Sequence, residues 1–129
     1  MDDTQSPTAR PEMGVADVLN KAADLLEPEG AWTQGVYGRS SSGAVTTQAG
    51  VKKAACRCMI GALFAASDER SIYDLEHSAA YQVLVSHLSV EDEPTDWNDA
   101  PGRTQAEVVA ALRQAAKQAE QSATPIGEA

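Results

Sequence analysis

Apolar residues recur with a helical period at both ends of the chain and with a different rhythm between them. Val15, Val18, Leu19, Ala22, Leu25 and Leu26 follow i, i+3, i+4, i+7 spacing, with Asp17, Lys21 and Asp24 on the opposite side. That spacing predicts an amphipathic helix over 14–26. Glu27-Pro28-Glu29-Gly30 ends it, because proline cannot continue a helix and disfavours helical geometry in the residue before it. Between Ala31 and Val51 the strand-favouring residues Trp32, Val36, Tyr37 and Val45, Thr46, Thr47 flank the Ser/Gly-rich stretch 38–43. This predicts a β-hairpin, and since two strands alone are marginal it should lie on the helices.

A second helix is predicted over 53–66. Cys56, Met59, Ile60, Leu63 and Phe64 make one face, and Ala54, Cys58, Gly61, Ala62 and Ala65 make a second face of small residues. A helix apolar nearly all round is a buried one, so this element should be central. A third helix falls between Ser71 and Leu88, with Tyr81, Leu84, Val85 and Leu88 as its stripe and either Ser71 or Ser78 as its cap. The segment 89–103 is acidic and irregular. Within it, Trp97-Asn98-Asp99 is expected to build the turn that launches the last helix, with Asn and Asp side chains bonding nearby backbone amides. Thr104-Gln-Ala-Glu107 is a capping box, followed by the buried stripe Val108, Ala111, Leu112, Ala115, Ala116 and Ala119. The expected fold is α+β: a mostly helical single domain over 14–120, with about four helices and one β-hairpin packed on a buried central helix. Residues 1–13 and 121–129 read as disordered tails.

Composition narrows the function classes. Nineteen acidic against ten basic residues give a charge of −9 over 129 residues, which repels phosphate backbones and speaks against direct nucleic-acid binding. No run approaches the ~18 apolar residues of a membrane span, and the N-terminus has no apolar leader region. No membrane association and a cytoplasmic location are the expectation. Cys56 and Cys58 are too few for a disulfide framework and fit a reducing compartment.

The sharpest candidate for catalysis is Cys58 with His77 or His87 and Asn98 or Asp99, the chain order of papain-type thiol hydrolases. Against it stands the habit of cysteine to be buried, here in an apolar helix among alanines. The two cysteines and two histidines lack the spacing of a zinc site, so no metal is expected there. The run from Asp96 to Glu107 has oxygen ligands at positions 1, 3 and 12 of a calcium loop, but proline stands where the turn glycine belongs. No cofactor is expected. Trp32 and Trp97 either close over the core or, with Asn98 and Asp99, form a recognition surface. Lys52, Lys53 and Arg57 read as a solvated basic rim beside the central helix.

The pieces Val18–Gly35 (VLNKAADLLEPEGAWTQG), Cys58–Leu63 (CMIGAL) and Trp97–Ala116 (WNDAPGRTQAEVVAALRQAA) resemble a family of small uncharacterised proteins of actinobacterial and bacteriophage genomes, a domain of unknown function. The resemblance spans about Val15–Lys117. It marks Trp32, Cys58, Gly61, Trp97, Asn98, Asp99 and Thr104, while Cys56 and the turn at 40–43 fall outside its pattern. It implies domain limits and a bacterial or phage origin, and no reaction. The expected function is that of a non-enzymatic accessory or regulatory protein that binds another protein. The rival readings are a thiol-dependent hydrolase or transferase using Cys58, and an acidic mimic of nucleic acid.

Overall fold

A computed structural model describes residues 14–88 and 93–123. They form α1 (Val15–Leu26), β1 (Gly38–Arg39), a 3-10 helix (Ala49–Lys53), β2 (Cys56–Arg57), α2 (Met59–Ala66), α3 (Ile72–Glu76), α4 (Ala79–Leu88), α5 (Pro94–Asn98) and α6 (Gln105–Ala123). The fold is a mostly helical α+β one. The expected tail 1–13, positions 89–92 of the acidic segment and residues 124–129 lie outside the described residues.

The short helix α2 is the middle of the molecule. All of its residues but Ala65 are buried, which follows from a sequence with no polar side chain between Met59 and Ala66. It packs against α1, α5 and the 3-10 helix, and α1 packs in turn on α6. Leu19, Ala22, Ala23 and Leu26 of α1 and Val108, Leu112, Ala115 and Ala116 of α6 supply the buried stripes.

Helix ends are closed by named side chains. Thr104 and Glu107 form the expected capping box: Glu107 Oε1 accepts from the Thr104 N–H at 2.9 Å, and Thr104 Oγ1 accepts from the Glu107 N–H at 3.2 Å. Gln105 donates to the carbonyls of Leu26 and Pro28 at the end of α1. Arg113 bridges to Asp24 and Glu27, each at 2.7 Å, and so clamps α6 to α1. At the C-terminus of α2, Lys52 Nζ donates to the Phe64 and Ser67 carbonyls at 3.0 Å and sits 4.3 Å from the Phe64 ring centroid. A cation there complements the negative end of the helix dipole.

Four elements differ from the sequence expectation. The segment 89–103, read as irregular, holds α5, which Pro94 opens at its first turn. The third helix is two helices, because both candidate caps are used: Ser71 Oγ accepts from Asp74 N–H and Ser78 Oγ accepts from Tyr81 N–H. The second helix starts at Met59 rather than near Lys53, because the backbone of 55–57 is spent on strand pairing. Arg57 N–H donates to Ala31 O, and Ala55 N–H to Arg39 O. The expected hairpin shrinks to a single bridge between Arg39 and Val45, and the regular ladder instead pairs β1 antiparallel with β2. A parallel bridge from Trp32 to Arg57 adds one more row. The backbone thus runs side by side in the order Val45, Arg39, Cys56–Arg57, Trp32.

Arg57 corrects the basic rim. Its side chain is buried and donates through Nε to Val51 O at 2.7 Å and through Nη2 to Lys52 O at 2.9 Å, closing the end of the 3-10 helix.

Candidate functional site

The four rows of backbone end against the N-terminus of α2, and there the residues singled out in the sequence converge. Cys58 is the residue before the first turn of α2, with an extended backbone and a thiol that accepts from Gly61 N–H at 3.3 Å. Sulfur here takes the place of the usual cap oxygen. The Cys58 N–H donates to Tyr37 O, which brings the Tyr37 carbonyl down onto the helix. A Cβ on Gly61 would lie 2.0 Å from that oxygen. Glycine is required at 61 because a backbone carbonyl occupies the space of a side chain.

Asn98, the last residue of α5, locks this arrangement. Its Oδ1 accepts from Trp32 Nε1 at 2.7 Å and from the Met59 N–H at 3.0 Å. Its Nδ2 donates to Thr33 O at 3.2 Å and to Asp99 Oδ1 at 2.9 Å. Two acceptor and two donor sites are all that a side-chain amide has, and all four are used. Asp99 Oδ1 also accepts from Gly35 N–H at 2.9 Å, and Gln34 Nε2 donates to Asn98 O at 3.0 Å. Asn98 is fully buried. The expected launching turn is therefore built otherwise: these side chains bond residues 32–35, some sixty-five positions back in the chain, and α2, 39 positions back, while the turn at 100–103 and the Thr104–Glu107 capping box lead into α6.

Above this hub lies a cleft of about 360 Å³, lined by Gly35, Val36, Tyr37, Val45, Thr46, Cys58, Thr95 and Asp99. Tyr37 and Val45 remain 37% and 57% exposed, so the walls carry apolar surface that the core does not use. Cys58 at its floor is 3% exposed, and burial pushes its thiol from its ordinary 9.0 up to about 11 against the lowering effect of the Gly61 and Ile60 backbone N–H groups. A helix N-terminus ordinarily activates a thiol; here desolvation outweighs it.

The structure brings Cys58 and Asp99 to one cleft and the histidines elsewhere. His77 is exposed at the C-terminal end of α3, its Nδ1 2.8 Å from Tyr73 O. His87 lines a separate shallow groove with Trp97, Arg103 and Glu107. Trp97 is half-buried against the core, with Arg103 stacked 3.7 Å from its ring centroid and Arg103 Nε donating to Trp97 O. Trp32 is also half-buried, its indole turned to Asn98. Cys56 is half-buried on β2. Sequence reasoning missed Gln34, Tyr37 and Thr95, which carried no motif of their own. Tyr37 could have been found only through Gly61, whose missing side chain signals a close approach. Among the described residues no group of three or more His, Cys, Asp or Glu is placed to hold a metal, and no helix is long and apolar enough to cross a membrane.

The comparisons agree with the resemblance in extent. Residues 10–118 match the Family of unknown function (DUF6197). No curated protein and no solved structure matches the chain.

Proposed function

The chain belongs to the DUF6197 family, which brings no activity with it, and from that premise we propose that it is a non-enzymatic protein-binding module whose working surface is the cleft between the 35–46 loop and α5. The observation that carries this reading is the pairing of surplus apolar surface, Tyr37 and Val45, with the carboxylate of Asp99 around one concavity. Interfaces combine such aromatic anchors with a few placed polar groups. The hub beneath supports it: a fully bonded Asn98 ties residues 32–33, α2 and Asp99 together under the cleft, and a site whose walls are already bonded in place has less to order on association. The floor supports it as well. A thiol held protonated at neutral pH, with no imidazole in the cleft, is a packing group and a cap rather than a nucleophile.

Cross-linking followed by affinity capture from the host tests the proposal. Val45→Glu should keep the thermal midpoint and lose the captured partner, and Tyr37→Ser should lose the partner while still folding at a lowered midpoint, since part of its ring is buried. Tyr73→Ser, which alters an exposed aromatic outside the cleft, should keep the partner. Equal capture by all three variants would remove the cleft from the function.

A further inference from the structure

We propose that the cleft receives a basic side chain, an arginine or lysine on an extended segment of the partner, seated along Tyr37 with its cationic head on Asp99. This rests on the reading of the cleft as the working surface and names what enters it. Asp99 is placed for such a contact: Oδ1 is fixed by Gly35 N–H and Asn98 Nδ2, and Oδ2 takes no partner among the described residues. A carboxylate already oriented by two hydrogen bonds loses little freedom when it accepts a third from a cation. The protein's own nearby cations are engaged elsewhere. Arg39 donates to Gly43 O, Lys52 caps α2, Arg57 is buried on the 3-10 helix, and Arg103 lies on Trp97.

The surroundings extend the complementarity. After burial, the fields of Cys58, Glu76 and Glu93 push the Tyr37 phenol above its usual range, and burial with Glu76 and Glu93 does the same to Tyr81. Carboxylates therefore stand around the tyrosines at this end of the molecule, and the exposed Tyr37 ring offers a face to a cation. Thr46 and Thr95 line the same cleft. A chain of charge −9 adds a long-range field that draws a basic segment in and raises its association rate.

The test is titration of the isotopically labelled full chain with three blocked tripeptides, Ala-Arg-Ala, Ala-Lys-Ala and Ala-norleucine-Ala, followed by amide NMR shifts. The arginine or lysine peptide should move the amides of Gly35, Tyr37 and Asp99, and the norleucine peptide should not. Asp99→Asn keeps the Oδ1 acceptor and hence the fold, and should weaken binding by about tenfold or more, the effect of removing a charged hydrogen-bond partner. Glu29→Gln, which removes an exposed carboxylate away from the cleft, should bind as wild type. Equal binding of the norleucine peptide, or no effect of Asp99→Asn, overturns the basic anchor. So does tighter binding of free spermidine than of either basic peptide, since the site would then belong to a small polyamine. If the peptides fail while Val45→Glu still abolishes partner capture, the basic anchor falls and the protein-binding reading stands.

Discussion

The indole N–H of Trp32 donates to the side-chain oxygen of Asn98 across 66 positions of sequence, at 2.7 Å. The same oxygen accepts from the first N–H of α2. One amide thus joins three parts of the chain: the loop after α1, the start of the central helix and the end of α5. Because Asn98 is fully buried, each of its bonds replaces a bond to water that burial removed, and breaking one leaves a bare polar group.

Asn98→Ala is therefore expected to destabilise by about 2–5 kcal/mol, since the Trp32 and Met59 donors and the Thr33 carbonyl all lose a partner inside. Trp32→Phe loses one of these bonds only and should cost about 1–2 kcal/mol. Urea denaturation of the two single variants and the double variant gives the coupling. A double variant equal to the sum of the singles would mean that the two side chains do not share a bond.

Gly61→Ala should destabilise although alanine is the better helix former by about 1 kcal/mol. The new Cβ would meet the Tyr37 carbonyl at 2.0 Å, and a backbone oxygen cannot rotate aside as a side chain can. Overpacking of this kind costs about 1–3 kcal/mol, and Gly61→Leu should cost more. A thermal midpoint for Gly61→Ala at or above wild type would show that the carbonyl does not cross the helix there.

Much of the helical frame was legible, and the reason is local. The stripe from Val15 to Leu26 and the Thr104–Glu107 capping box act within four residues, so sequence spacing alone specifies them. The strand register was not legible. Cys56 and Arg57 lie in an apolar run that suits a helix, and only the backbone partners at 31 and 39 pull them into a ladder. The candidate site was legible as residues and not as an arrangement. Trp32, Cys58, Gly61, Asn98 and Asp99 each stood out, but the bonds that Asn98 and Asp99 make to Trp32, Gly35 and Met59 span about forty to sixty-six positions, a distance that no periodicity records.

Alkaline titration should expose the buried thiol. A neutral thiol is favoured in the folded state, where its pKa is about 11, over the unfolded one near 9.0. The resulting stability is fully present below pH 9 and is lost as pH rises from about 9 to 11, on the order of 2–3 kcal/mol. Cys58→Ser preserves a cap for Gly61 N–H and should leave stability at pH 7 nearly unchanged while flattening that slope. At neutral pH a thiol reagent should label half-buried Cys56 first and Cys58 only on unfolding. Rapid native labelling of Cys58 would instead make it an accessible nucleophile.

Trp97 separates packing from recognition. Its ring is half-buried against the core and covered on one face by Arg103, whose guanidinium carbon lies 3.7 Å from the ring centroid. Deleting a fully buried tryptophan costs about 3–5 kcal/mol, so a half-buried one should cost roughly 2–3 kcal/mol. Arg103→Ala removes the stacking cation, its bond to Trp97 O and its long ion pair with Glu107 at 3.7 Å, and should cost about 1–2 kcal/mol. Since the groove beside Trp97 is distinct from the cleft lined by Asp99, both variants should retain binding of a basic peptide under conditions where they remain folded. Chemical denaturation measures the first expectation, and the peptide titration measures the second. If Trp97→Ala keeps wild-type stability and loses the captured partner, the working surface lies on the groove beside α6 rather than on the cleft.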